Sequence, residues 1–454
     1  MPQPTPLPAA WPALPTELDG VAVTPADRAR YPYLSSSYMR VGTPDLILMA
    51  RDVDDAAAAV GYAAGLRAAV GQVPFSVRSG GHGISGASTN DGGVVLDLSA
   101  LNRVEVLGAD LVRVQAGAIW GDVAAELSGH GLVITSGNMG DTGVGGLATA
   151  GGIGYFVRAH GLTLDLIRRA TIVTADGAVH VVDAEHEPDL FWALRGGGTQ
   201  AGVVVDLDLE ARRIGEDDVV VIHQASQQIV DDLPGYVHAW GDLMRGAPRE
   251  FTSFLMLQRL PDGRHLSVAR NVWADTDIAA AQPAVSDFAR LAPLVQHDAS
   301  LMPYSGIVPT PRSPKVGQQH IQMRDALVDV ADRALGERVA EALRHDVASL
   351  VELRSLGGIV ADLPAPATAF GHRHQEVLVS LWAQPRGIAA IDRAWEPVEA
   401  VASGVYSAYT SDTRARQAEL AWPGETGRRL RAISERVDPA LLFDAGLTLR
   451  ASAE

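Results

Sequence analysis

Val77-Arg78-Ser79-Gly80-Gly81-His82-Gly83-Ile84-Ser85-Gly86 (VRSGGHGISG, residues 77–86) is the stretch on which the reading of this chain turns. It follows a short apolar run, Val73 to Val77, that reads as a strand. Glycines let successive backbone N–H groups face a single point, and Arg78 adds positive charge, so the loop has the makings of an anion cradle suited to a pyrophosphate. His82 brings a nucleophilic ring nitrogen to the same place. The same residues would also make a plain tight turn with a solvated Arg and His, and this motif alone does not separate the two readings.

A second glycine-rich region, Gly137 to Gly154 (GNMGDTGVGGLATAGGIG), follows about fifty residues later. Its glycines would each weaken a regular element by ~0.5–1 kcal/mol relative to alanine. Their density therefore predicts a close approach to the backbone, as by a flat ring system with a diphosphate. The alternative is a glycine-rich structural hairpin.

Around these loops the pattern is mixed. Asp52 to Ala69 has an acidic first turn and reads as a helix. Val94 to Leu98, Arg103 to Val106 and Leu111 to Val114 read as strands, and Ile119 to Ser128 as a helix. Val133 to Thr135 is a further expected strand. Ala170 to Thr174 and Ala178 to Asp183 form a hairpin on Asp176-Gly177. Pro188 to Leu194 is an expected short helix, and Gly196-Gly197-Gly198 precedes the strand Val203 to Leu209. Beyond Arg213 the glycine clustering stops. There Pro234 to Met244, Ile278 to Leu291, Arg324 to Ala342 and Pro423 to Arg436 read as helices, and Phe254 to Leu257 and Glu376 to Trp382 as strands. The first 35 or so residues are proline-rich and are expected along the surface. Without a regular βαβ alternation, the fold class is α+β.

The chain has 454 residues, 47% hydrophobic and 20% charged, enough for two domains with a large core. A formal charge of −17 disfavours nucleic acid and anionic membrane surfaces as partners. No apolar run approaches the ~20 residues of a membrane span. The N-terminus lacks a basic start followed by an apolar core, so a cytoplasmic location is expected. There is no cysteine, which removes disulfides, thiolate metal sites and cysteinyl-flavin bonds. Lysine is confined to Lys315. No P-loop, clean Rossmann fingerprint or H-E-x-x-H occurs, and Gly83-Ile84-Ser85-Gly86 is not a G-x-S-x-G elbow. His372 and His374 would share a strand face, but two histidines do not make a metal site, and none is expected.

Residues 77–101 (VRSGGHGISGASTNDGGVVLDLSAL) closely resemble the flavin-binding core of berberine bridge enzyme-like FAD-linked oxidases, the vanillyl-alcohol oxidase or PCMH-type group. Its bacterial branch of 6-hydroxy-D-nicotine oxidase type is nearest in texture. Gly143 to Asp165, Ala175 to Gly198, Gly202 to Glu210, Pro364 to Arg373 and Val437 to Phe443 extend the likeness.

The resemblance implies an FAD-binding domain at 1–213, with its core from about 40 to 213. A substrate-binding domain would follow at 214–403, an antiparallel sheet backed by helices, and a C-terminal segment at 404–454 would return to the FAD domain. It implies FAD attached covalently through His82. Cofactor contacts would come from Arg78, Ser79, Gly80, Gly81, Gly83, Gly86 and Ser88. Others would come from Gly137, Asn138, Met139, Thr142, Gly143, Gly146, Leu147, Gly151, Gly152, Gly154, Gly202 and Val203. Met139 stands where bicovalent relatives carry cysteine, so a single link is implied.

The implied activity is an oxidase that moves hydride from a small organic substrate, such as an alcohol, amine or natural-product intermediate, to flavin N5. Reoxidation by O2 would give hydrogen peroxide. A dehydrogenase using another acceptor, or a non-redox cyclase, isomerase or binding role, stays open. Leu166 stands where many relatives have asparagine, and Asp444-Ala445-Gly446-Leu447 replaces a polar terminal run. The base therefore has several candidates: Tyr406 and Tyr409 first, then Tyr155 and His372, with Arg373 and Glu352 from the substrate domain. The sequence leaves the oligomeric state open.

Overall fold

The computed structural model describes residues 7–214, 220–310 and 321–450. Lys315 lies outside them. Three main sheets build the chain. The first has four strands in the order Ala22–Val23, Leu46–Met49, Val94–Asp97, Phe75–Arg78, the last three mutually parallel. The helix Val53–Val70 makes the crossover between Leu46–Met49 and Phe75–Arg78. Its N-cap is Asp52, whose carboxylate accepts the Asp55 N–H at 2.9 Å. Here the chain does make one βαβ unit, which the glycine-dense pattern downstream obscured.

The second sheet is antiparallel, in the order Val104–Val106, Leu111–Gln115, Val203–Glu210, Ile167–Val173, Val179–Asp183. The third is a seven-stranded antiparallel sheet. Its order is Leu294–Pro303, Val220–Val230, His265–Trp273, Phe251–Arg259, Ala348–Ser355, Val377–Ala383, Gln322–Val328.

Alternation decides how the third sheet packs. Val377, Val379 and Leu381 join one core with Leu233–Gly246, Ile278–Ala289, Arg333–Ala342 and Ile388–Glu399, while Leu378, Leu327 and Phe254 join the core of the other two sheets. One face thus carries the helices, and the other meets the glycine-rich loops. After the third sheet, Ala415–Ala421 and Gly424–Val437 follow, the latter packing on Pro188–Gly197.

Two expectations need correction. Residues 324–342 are not one helix: Gln322–Val328 is a strand paired along its whole length with Val377–Ala383, and the helix is only Arg333–Ala342. Asp332 caps that helix by accepting the Leu335 N–H at 2.8 Å, and this start signal marks the break. The N-terminal segment is not purely superficial either. Leu18 is fully buried and Ala22–Val23 pairs with Leu46–Met49.

Candidate active site

The strand Phe75–Arg78 delivers the first loop, and Arg78 anchors it. Its guanidinium bonds the fully buried Asp97 at 2.6 Å. Arg78 therefore braces the strand end and does not line the cavity beyond it. The two glycine-rich loops touch at Gly80 and Gly143. A Cβ on Gly80 would lie 2.2 Å from Gly143 N, and one on Gly143 would lie 2.1 Å from both Gly80 N and Ser79 Oγ. Only glycine permits that backbone-on-backbone crossing.

Beside the crossing stands His82. Its Nε2 is 2.9 Å from Asp141 Oδ1, and its ring stacks on Tyr38 with centroids 4.6 Å apart. The imidazole is thus held in one orientation, largely buried, at the wall of a cavity.

That cavity is lined by Ser79, Gly80, Gly81, His82, Gly83 and Ser88 from the first loop, and by Gly137, Asn138, Met139, Thr142, Gly143, Gly146 and Leu147 from the second. Tyr406 and Tyr409 also line it. The remaining expected residues lie elsewhere. A Cβ on Gly86 would meet Arg40 Cδ at 2.9 Å, one on Gly151 the Tyr406 ring at 2.7 Å, and one on Gly154 Ser136 O at 1.9 Å. Gly152 packs on Thr163 and donates its N–H to Tyr406 Oη at 3.0 Å. Gly202 abuts Val173 O and Val203 is buried within the second sheet. These residues shape the wall from behind.

Tyr155 is buried against Phe254, with centroids 5.1 Å apart, and does not line the cavity. His372 is packed on Phe370, with its Nε2 3.0 Å from Ala421 O, and burial pushes its pKa down to about 4. It is a structural imidazole. His374 instead faces Asp329 at 3.2 Å. Arg373 makes a bidentate pair with Asp165, at 2.7 and 2.9 Å. Among the described residues no cluster of three or more His, Cys, Asp or Glu could hold a metal ion, and no helix is long and apolar enough to cross a membrane.

Tyr38, Trp382 and Trp422 line the cavity with no local signal in the sequence, and Ile84, Phe443, Ala445, Gly446 and Leu447 line it from stretches the sequence marked without naming them as contacts. Gly197, Gly198 and Thr199 line it too, from a glycine triplet that the sequence did display. Arg354 matters most. It rises from Ala348–Ser355 and donates to Ile153 O at 3.1 Å, to Asn138 Oδ1 at 3.4 Å, to Glu352 at 3.1 Å and to Tyr409 Oη. Its guanidinium lies 4.3 Å from the Tyr409 ring centroid. Burial opposes its charge, but Glu352 and the neighbouring phenols outweigh it and raise its pKa on balance. Tyr409 donates in turn to Glu352 Oε2 at 3.0 Å. Burial above all, with Glu352 adding and Arg354 opposing, holds the Tyr409 phenol well above the usual tyrosine value.

The residues present fit FAD. Added Cβ atoms on Gly146 and Gly198 would meet nothing within 4 Å, so backbone faces open space inside the cavity. Ser88 Oγ is buried at its edge with no hydrogen-bond partner among the described residues, a donor suited to a phosphate oxygen.

Comparison with known proteins agrees. Residues 44–183 match the FAD binding domain family. An FAD-dependent monooxygenase of Cochliobolus heterostrophus is 42% identical over 144 residues, 31% of this chain and 28% of that protein. (R)-6-hydroxynicotine oxidase of Paenarthrobacter nicotinovorans is 38% identical over 168 residues, 37% of this chain and 36% of that protein. The matched stretch spans about a third of these relatives' length. The whole fold is shared with the crystal structure of 6-hydroxy-D-nicotine oxidase from Arthrobacter nicotinovorans, at a TM-score of 0.80 and 22% identity, covering 96% of this chain and 99% of that one.

Proposed function

From a chain whose residues 44–183 are an FAD binding domain, and which as a whole has the fold of an FAD-dependent oxidase, we propose an FAD-dependent oxidoreductase that oxidises a small organic molecule and passes the electrons to O2. Residues 1–213 and 404–454 hold the cofactor, and 214–403 roof the substrate. The observation that carries this reading is His82 fixed between Tyr38 and Asp141 where the two glycine loops cross. We infer a single covalent link through that imidazole, with Ser88 and the glycine backbone toward the diphosphate.

Bound FAD would supply the two-electron acceptor for a substrate C–H bond. The chain's own part is to manage the proton. Tyr409 holds its proton too tightly to stand as a phenolate, yet it donates to Glu352 and accepts from Arg354. A substrate hydroxyl or amine that gives its proton to Tyr409 oxygen therefore drives the Tyr409 proton onto Glu352 in the same motion. Arg354 keeps both partners in place.

Acid denaturation tests the attachment. Yellow, fluorescent flavin is expected to stay with the wild-type polypeptide and to be released, or never captured, in His82→Ala. Free FAD or no flavin from the native protein overturns the link.

A further inference from the structure

Glu352 has a second carboxyl for company. In the seven-stranded sheet Asp325 stands opposite Ser380, and Ser380 opposite Glu352, so the three form one row across three adjacent strands. Such cross-strand neighbours share a face and lie about 4.5–5.5 Å apart at Cβ. All three are buried. One oxygen of Asp325 accepts the Tyr406 N–H at 2.7 Å, just as Glu352 accepts from Tyr409. The two ends of the row thus hold the two tyrosines of one cavity-lining loop. Asp325 Oδ1 and Ser380 Oγ are both buried with no hydrogen bond of good geometry among the described residues, although the Thr410 hydroxyl stands near enough to Asp325 to favour its ionised form. Two such groups on directly opposed residues are rare in folded proteins and suit an ordered water.

We propose that Asp325 is a second carboxyl of the active site, joined to Glu352 through the Ser380 hydroxyl and a bridging water, and that its bound proton keeps the row at one negative charge while Glu352 exchanges protons with Tyr409. This rests on reading Glu352 as the proton acceptor.

The surroundings of Asp325 support it. From its own strand comes Arg324, which pairs with Asp392 and Asp412; from the loop come the Tyr406 N–H, the Thr410 hydroxyl and Asp412; from the adjoining strand comes Ser380, and from the strand beyond it the Glu352–Arg354 pair. Burial dominates and pushes Asp325 up to about 8, the tyrosine N–H and Thr410 opposing. A protonated Asp325, two strands from an arginine-paired Glu352, avoids a second negative charge in one buried row.

Infrared titration of the purified flavin-loaded protein reads this without substrate. A C=O band of a protonated, buried carboxyl is expected to persist until about pH 8 and to vanish in Asp325→Asn. Glu352→Gln is expected to lower its midpoint by about one pH unit, the size of a Coulomb term across two strand spacings. Ser380→Ala is expected to raise it, by removing a donor to the ionised form. A band that survives Asp325→Asn, or a midpoint indifferent to both other changes, overturns the proposal; if Asp325→Asn does not fold, those two midpoints decide. If the protein holds no flavin, the functional reading fails while the titration still answers this question.

Discussion

In the proposed relay Tyr409 and Glu352 divide one task. Because the phenol keeps its proton, removing the oxygen cuts the relay while leaving the carboxylate in place. Tyr409→Phe is expected to slow flavin reduction by substrate about 10²–10⁴-fold, measured anaerobically by loss of flavin absorbance, with flavin content unchanged. A rate within twofold of wild type would remove Tyr409 from the mechanism. Both tyrosines were visible in the sequence as candidates, but their order of importance was not. Tyr406 spends its hydroxyl on the Gly152 N–H, whereas Tyr409 reaches Glu352 and Arg354. Arg354 itself had no local mark: it sits one strand repeat after Glu352, and its partners Ile153 and Asn138 come from the second glycine-rich region and Tyr409 from a loop far downstream.

The glycine loops were readable because a missing side chain is itself a signal. That signal does not say which glycine faces a cofactor and which faces protein. Gly143 crosses Gly80, while Gly151, Gly152 and Gly154 make room for Tyr406, Thr163 and Ser136. Gly143→Ala forces a Cβ to within 2.1 Å of backbone nitrogen. Overpacking of this kind costs about 1–3 kcal/mol, so a lower midpoint in thermal unfolding is expected together with reduced flavin content. Retention of both would mean that the loops separate easily. The helix expected at 324–342 failed for a different reason. The apolar run ending at Val328 suits either period, and only pairing with Val377–Ala383 selects the strand. Asp332 was the cap to notice.

One cation joins the apolar core and the Arg373–Asp165 pair in holding the glycine-loop half to the helix-backed sheet. Arg158, from the short helix Val157–His160, is buried and donates to Phe251 O, Leu356 O, Met244 O and Ala247 O at 2.7–3.2 Å. Burial lowers its pKa to about 10, still charged at neutral pH. Arg158→Met strips those carbonyls of their donors and is expected to cost on the order of 1–3 kcal/mol in denaturant unfolding. An unchanged midpoint would mean that the apolar core and the remaining ion pairs hold the halves without it. The sequence suggested a boundary where the glycines stop; it gave no sign of the clamp, since an arginine in RAHGLT looks like any surface residue.

The tail closes the first loop. Asp444 pairs with Arg67 at 2.7 Å, Gly446 lies against Ala87 and Ser85, and Phe443 to Leu447 complete the wall begun near residue 75. The cavity is thus walled by stretches from near the two extremes of the described residues, and one of its sides exists only while those stretches are latched together by Arg67 and Asp444.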